Sequence, residues 1–400
     1  MKPVSIASAV PGLTAVATRP DAGPPAADPD DIRLAVASMK VRAAEMRRAL
    51  HAVEEILATV DSTADTAGGG PGAGSGAGSG GGSGGAPGGE PAGGFTGGVH
   101  ATAMRSVPRW HFAMLNDYER NDAFAVALER KVRPGSHVLD IGSGTGLLAM
   151  MAVQAGAGRV TTCEADPVLA EIACRVVEQH GLSDVITVLP RMSTDLRVGV
   201  DLPPADLIVS EIVDCGLIGE GILPTIRHAR THLLARGGTL LPERGRLVGA
   251  LVDSAVIAGL NRVSTAGGFD VRLLNGLSTR GHFPVRLRTW PHRLLSEPTE
   301  LVRFDFARDP LTDGERAVSI PVAKDGVAYA LVSWFELELA GGIVLRNSPD
   351  NFSSHWMQAY APFDEPIELL AGGSFEMCLR WQDERISVRP GNLLEKAEVA

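Results

Sequence analysis

Cysteine is scarce in this 400-residue chain: four residues, Cys163, Cys174, Cys215 and Cys378, none in a CxxC or other zinc-type spacing. That excludes a disulfide framework and a structural zinc site and fits a reducing compartment. Positive charge is also short, with 37 Lys plus Arg against 47 Asp plus Glu and a net charge of −10. Binding to a phosphate backbone needs clustered cations that release counterions, so nucleic acid is not expected as a partner, whereas a cationic ligand suits the sign. Long apolar runs are missing: Val4–Val10 is stopped by Pro11, and Leu247–Leu260 is broken by Asp253 and Ser254. Neither is a signal peptide or a bilayer span, so a cytoplasmic protein without membrane contact and without a metal is expected.

Glycine, by contrast, is concentrated: 18 of the 47 glycines fall within Gly68–Gly98. Such a Gly/Ser/Ala/Pro tract is a flexible tether with a root-mean-square span of about 30 Å. Ahead of it, residues 1–27 are Ala- and Pro-rich without a period and read as disordered. Residues 28–63 open on Asp28-Pro29 and carry Ile32, Val36, Met39, Ala43, Met46, Leu50, Val53, Leu57 and Val60 at alternating spacings of four and three. That repeat is a coiled coil or an amphipathic helix lying on its own body, and the spacing does not separate the two. The linker is taken as residues 64–99.

Beyond the tether the pattern alternates. His137–Ile141 is a β-branched run followed at once by Gly142-Ser-Gly144-Thr-Gly146 and the helical stretch Leu147–Ala155. Arg159–Glu164, Val185–Leu189 and Asp206–Glu211 read as further strands and Pro167–His180 as a helix, the signature of a parallel sheet with covering helices. After Pro242 period-2 runs at Glu300–Phe306, Ala328–Leu339 and Ser374–Trp381 imply an antiparallel sheet or barrel. The fold class is therefore α/β, a Rossmann-like domain over residues 100–242 followed by an antiparallel β-barrel domain over 243–390, with a tail at 391–400.

The glycine loop is GxGxG, not the GxGxxG that packs a helix against a dinucleotide pyrophosphate. Glu164, ending the second strand about twenty residues on, is placed to grip ribose hydroxyls, so a nucleoside without phosphate fits better than NAD(P). Glu211 closes the fourth strand and Glu220 follows after a loop containing Gly216 and Gly219. Two glutamates turned toward one cleft repel unless a cation joins them, and a guanidinium with five donors satisfies both. On spacing alone, two solvated loop acids are the commoner arrangement, and more than spacing is needed.

Four segments in order decide the resemblance: Trp110–Asn121 (WHFAMLNDYERN), Val138–Leu148 (VLDIGSGTGLL), Ser210–Gly221 (SEIVDCGLIGEG) and Ser354-His355-Trp356. Over about residues 105 to 390 the chain resembles the protein arginine methyltransferases, most closely their monomethylating subgroup, whose members carry two such modules where this chain has one. The resemblance implies S-adenosylmethionine as cofactor. His111 and Arg120 would contact its methionyl part, Met114 would pack beside the sulfonium, and Asp140, Gly142, Gly144 and Gly146 would form the cradle. Glu164 would hold the ribose, and Ser193 and Thr194 would lie at the adenine.

It further implies that Glu211 and Glu220 hold the acceptor guanidinium, that His355 paired with Asp117 takes a proton or serves structure, and that Trp356 walls the arginine stem. Asp214 matches the monomethylating subgroup and implies ω-N-monomethylarginine as product. Arginine in a protein or peptide is the first acceptor implied, with free L-arginine or a related guanidine as the alternative. A helical arm around residues 253–297, with Leu260, Phe269 and Leu274 as apolar anchors, implies a homodimer. A reading of another class, an inactive dimeric scaffold presenting the heptad helix, predicts decay of at least one site element.

Overall fold

The structure, a computed structural model, describes residues 107–394 except Arg280. The disordered segment, heptad helix and tether expected over residues 1–99 lie outside the described residues, as does most of the expected tail.

Helices α1 (Trp110–Leu115) and α2 (Tyr118–Lys131) precede the sheet. Apolar and charged residues alternate at helical spacing over His111–Lys131, which reads as one helix, but the chain breaks at Asn116-Asp117, because Asp117 is the N-cap of α2 and accepts from the Arg120 backbone N–H at 2.9 Å. A capping carboxylate satisfies an otherwise orphaned donor and fixes where the second helix begins.

Strand β1 (His137–Ile141) is buried at all five positions and occupies the centre of a parallel sheet. Around it run α3 (Leu147–Gln154), β2 (Arg159–Cys163), α4 (Pro167–Gln179), β3 (Ile186–Leu189), β4 (Ala205–Ser210), α5 (Ile222–His232) and β5 (Leu234–Leu241). The order is β3-β2-β1-β4-β5, all parallel. Strand order reverses between β2 and β4 on either side of β1, and ligands sit at the carboxyl edge of such a switch point. Helix α4 starts at Asp166, which accepts from the Val168 and Leu169 N–H groups, with Pro167 in the first turn. Strand β5 has no apolar alternation to betray it: Arg236-Gly237-Gly238 reads as a turn, yet pairing with β4 carries it through.

The parallel part ends at Leu241 and antiparallel strands begin at Arg244. Arg244–Asp253, Gly326–Ala340 and Gln358–Leu369 form the centre of a seven-stranded sheet. Gly314–Pro321, Ser374–Gln382 and Arg385–Leu394 form a three-stranded one. Strand pairing in the half expected as a barrel is thus divided between two sheets, which share a continuous apolar core with the parallel domain through Leu217, Leu247, Leu301, Phe306, Phe335 and Phe375. Burying side chains of this size contributes about 1.5–3 kcal/mol each.

Among the described residues, the segment expected as a helical arm holds a single α turn, Ala255–Ala258, a hairpin of two-residue strands at Thr265–Ala266 and Phe269–Asp270, 3-10 turns at Arg272–Leu277 and Leu287–Thr289, and short strands of the seven-stranded sheet at Phe283–Val285 and Arg293–Leu294. Gly259, Gly267, Gly268 and Gly276 interrupt any longer helix. Ile257, Val285 and Leu287 anchor the segment in the core, while its tip is open to solvent, Phe269 by 75%, Leu273 by 98% and Leu277 by 76%.

Candidate active site

The carboxyl ends of β1, β2 and β4 meet a cleft of about 730 Å³. On its floor the loop after β1 turns through Gly142 (φ 86°), Gly144 (φ 53°) and Gly146 (φ 80°), backbone that a side chain would strain. At Gly142 a Cβ would also stand 2.9 Å from Ile212 Cγ2. The Gly142 and Ser143 N–H groups both donate to the Cys163 carbonyl, binding the loop to the end of β2. Glu164, the next residue, accepts from the Gly144 N–H through one carboxylate oxygen and from the Asp166 N–H through the other, both at 3.0 Å.

Asp140 lies beneath the loop, wholly buried, with Oδ2 accepting from Thr162 Oγ1 at 2.8 Å and Oδ1 without a partner. Burial pushes its carboxyl up to about 7 against the pull of the Thr162 hydrogen bond.

The roof comes from α1 and α2. Met114 is buried, and its methyl lies over Gly144. His111 stacks on Trp110 at 3.8 Å and bonds to the Pro108 carbonyl through Nδ1. Arg120 is 3% exposed, packs its guanidinium over the Phe124 ring, bonds to Asn121 Oδ1 at 2.8 Å and pairs with Glu211. Its Nε is buried without a partner.

Glu211 follows β4 directly, and its side chain is 5% exposed. Glu220 closes the same loop and keeps an exposed surface at the cleft mouth. Burial of its carboxyl, then the charges of Glu211 and Asp214, push it up to about 7. Between them Asp214 accepts from the Gly219 N–H at 2.8 Å through Oδ1 and pairs with His282 Nε2 at 3.0 Å through Oδ2. A Cβ on Gly216 would meet His282 at 2.6 Å, and one on Gly219 would collide with the Asp214 carboxylate, so this loop is built around the pair.

On the antiparallel side Asp117 Oδ2 accepts from both the backbone N–H and the ring Nδ1 of His355, each at 2.8 Å. Burial works against the Asp117 charge, but the hydrogen bonds from the His355 ring and from the Arg120 and His355 backbones outweigh it and hold the carboxyl below its ordinary value. Trp356 packs on His355 at 3.9 Å, meets Phe335 edge-on and donates Nε1–H to the Val213 carbonyl at 3.1 Å.

The carboxylates of Glu164, Glu211, Asp214 and Glu220 thus line one cleft beside the glycine loop. The family model described as the arginine methyltransferase oligomerization subdomain matches residues 257–392, and that of ribosomal protein L11 methyltransferase matches residues 124–231. An arginine N(omega)-methyltransferase of Streptomyces achromogenes subsp. streptozoticus is 58% identical over 287 residues, 72% of this chain and 80% of that protein. The chain belongs to the arginine N-methyltransferase family.

Protein arginine N-methyltransferase 7 of Oryza sativa subsp. indica is 37% identical over 264 residues, and that of Drosophila erecta 32% over 310. These matches take in only 36% and 45% of those longer proteins. Among solved structures, the Trypanosoma brucei PRMT1 enzyme-prozyme complex with AdoHcy superposes with a TM-score of 0.62 at 21% identity, covering 71% of this chain and 92% of that one. Arabidopsis thaliana protein arginine methyltransferase 10 gives 0.58 at 22%, covering 70% and 89%. The fold is the same in all three.

In this arginine N-methyltransferase family member, His111, Met114, Arg120, Gly142, Gly144, Glu164, Glu211, Asp214, Glu220, His355 and Trp356 all line the one cleft. Asp117 stands behind His355, Asp140 beneath the loop, and Gly146 is the N-cap of α3. Ser193 and Thr194 are not among the lining residues. Ser193 is buried in a 3-10 turn, and Thr194 lines a separate depression with Arg191, His228 and His232. Ile212 over the glycine loop and His282 beside Asp214 are cleft residues that sequence reasoning misses. His282 is 68 residues from Asp214 and carries no motif of its own.

Proposed function

We propose that the chain transfers a methyl group from S-adenosylmethionine to a terminal guanidino nitrogen of free L-arginine, giving ω-N-monomethylarginine. The cofactor's fit is supported by chemistry already in the cleft: the unpartnered buried Nε of Arg120 suits its carboxylate, Glu164 suits ribose hydroxyls, and the Gly142 backbone leaves space that a Cβ would fill. Bound there, the cofactor supplies an electrophilic methyl carbon on a sulfonium.

The observation that carries the acceptor is Glu211 and Glu220 facing the same cleft, with Glu211 already holding the chain's own guanidinium, that of Arg120. An arginine guanidinium is protonated at any cellular pH, and its nitrogens are poor nucleophiles. Two carboxylates fix its plane, draw positive charge toward themselves and leave one terminal nitrogen facing the methyl donor, so positioning and electrostatics supply the rate. The attacking nitrogen must lose a proton. His355, oriented by Asp117 through Nδ1, is one proton acceptor on the cleft wall, and the raised Glu220 carboxyl is a second. Trp356, fixed by Val213 and Phe335, walls the stem.

Of the two acceptors the sequence leaves open, free arginine is favoured by the 58% identical relative, which is named for arginine alone, while the relatives named for protein arginine are 32–37% identical and much longer. Asp214, which matches the monomethylating subgroup, supports a single methyl addition. The exposed apolar arm, within the match to an oligomerization subdomain, supports a homodimer. Four free cysteines and the absence, among the described residues, of a helix long and apolar enough to cross a membrane accord with a cytoplasmic setting. The test is incubation of the purified chain with methyl-labelled S-adenosylmethionine and, in parallel, L-arginine and a Gly-Arg-rich peptide, with products resolved by mass. Label in free arginine, one methyl per molecule, supports the reading; label in the peptide alone overturns it.

A further inference from the structure

We propose that Asp214, held by His282, receives the α-ammonium group of the acceptor, so that the two cationic ends of a free amino acid are taken by separate carboxylates of one loop. The inference rests on the free-arginine reading and deepens it. Three carboxylates of the loop Glu211–Glu220 line the cleft, and a guanidinium engages two of them. The third, Asp214, lines the same cleft and is held in place by protein donors that do not use all of its lone pairs.

Asp214 is equipped for that cation. A carboxylate has about four lone-pair sites. The Gly219 N–H takes one on Oδ1 and His282 Nε2 one on Oδ2, leaving acceptor capacity on both oxygens, with 23% of the side chain open to the cleft. His282 stands just before the strand Phe283–Val285 of the seven-stranded sheet, so the antiparallel half fixes the direction in which a parallel-domain acid points.

Glycine at 216 and 219 is what lets the two side chains meet. Arginine within a peptide has an amide where free arginine has an ammonium, so this site separates the two acceptor classes.

The experiment compares L-arginine, agmatine, which keeps the amine without the carboxylate, and 5-guanidinopentanoate, which keeps the chain length and the carboxylate without the amine, in the full chain with S-adenosylmethionine. A charge-assisted hydrogen bond lost from the acceptor lowers kcat/KM about tenfold to hundredfold. The expected result is that loss for 5-guanidinopentanoate, expressed in KM, and a smaller one for agmatine. In Asp214→Asn, which keeps the shape and the Gly219 bond, the ratio of kcat/KM for arginine to that for 5-guanidinopentanoate collapses toward one. His282→Gln, which keeps a donor toward Asp214, retains most of the ratio. Equal use of arginine and 5-guanidinopentanoate by the unaltered chain overturns the Asp214 assignment and leaves the free-arginine reading standing, as does an Asp214→Asn loss equal for all three substrates. Methylation of a Gly-Arg-Gly peptide and of none of the three small guanidines overturns the reading itself.

Discussion

Glu211→Gln separates the two tasks that the structure gives to Glu211. In the cleft this carboxylate pairs with Arg120, and both side chains are nearly buried. Removing one member of a buried ion pair outright destabilises by about 3–5 kcal/mol. Glutamine keeps the volume and a carbonyl acceptor, so only the charge is lost, worth about 1.5–3 kcal/mol. For a body of this size that lowers the unfolding midpoint by about 2.5–5 °C.

Catalysis should suffer more. Loss of a preorganised charge aimed at the reacting group costs about a hundredfold to a thousandfold in kcat. Affinity for S-adenosylhomocysteine, by contrast, should change by no more than about threefold, less than one neutral hydrogen bond, since no cofactor contact is assigned to Glu211. Three assays read the variant: calorimetric unfolding, titration of S-adenosylhomocysteine, and steady-state kinetics with arginine. A kcat within about twofold of the unaltered enzyme refutes the double-glutamate reasoning. A lost cofactor affinity with unchanged kcat at saturation refutes the division of labour between Glu211 and Arg120.

Other perturbations follow from the same geometry. With the Glu220 carboxyl raised to about 7, the free enzyme binds a guanidinium well only once that group ionises, so kcat/KM for arginine should rise with pH through about 7; a flat profile from pH 6 to 8 contradicts this. The stability effect has the opposite sense. Glu220 and Asp140 both keep protons in the folded state that the unfolded chain releases near its ordinary carboxyl values, so their contribution declines as pH rises from about 4 to 7, and Glu220→Gln should be more heat-stable than the parent at pH 8 than at pH 4. Gly142→Ala combines a left-handed backbone penalty of about 1–2 kcal/mol with a methyl 2.9 Å from Ile212 Cγ2, and should weaken S-adenosylhomocysteine binding at least about tenfold by calorimetry. Leu273→Glu with Leu277→Glu, both on the exposed arm, should convert a dimer to a monomer in sedimentation, and an unchanged sedimentation coefficient would remove the arm from the interface.

What could be read from the sequence was what local chemistry dictates. HVLDI followed by GSGTG has one reading, strand then glycine loop, because only glycine takes three left-handed turns in five residues. Glu164 and Glu211 were legible because each follows a β-branched strand of a parallel sheet, where sites lie. What was hidden depends on contacts between distant segments. Strand β5 forms through pairing with β4 in spite of its two glycines, and α1 and α2 part where Asp117 caps one helix and receives His355 from the other half of the molecule. His282 joins Asp214 only after the antiparallel sheet has folded, and the displacement of Thr194 to another depression depends on how its 3-10 turn packs against α5.

The most direct test of the central claim, that Glu211 and Glu220 hold the acceptor guanidinium, is a crystal structure of the chain with S-adenosylhomocysteine and L-arginine. The account predicts the arginine guanidinium within hydrogen-bond distance of both carboxylates, its stem along Trp356. A guanidinium bound elsewhere in the cleft, with Glu220 facing solvent, would contradict it.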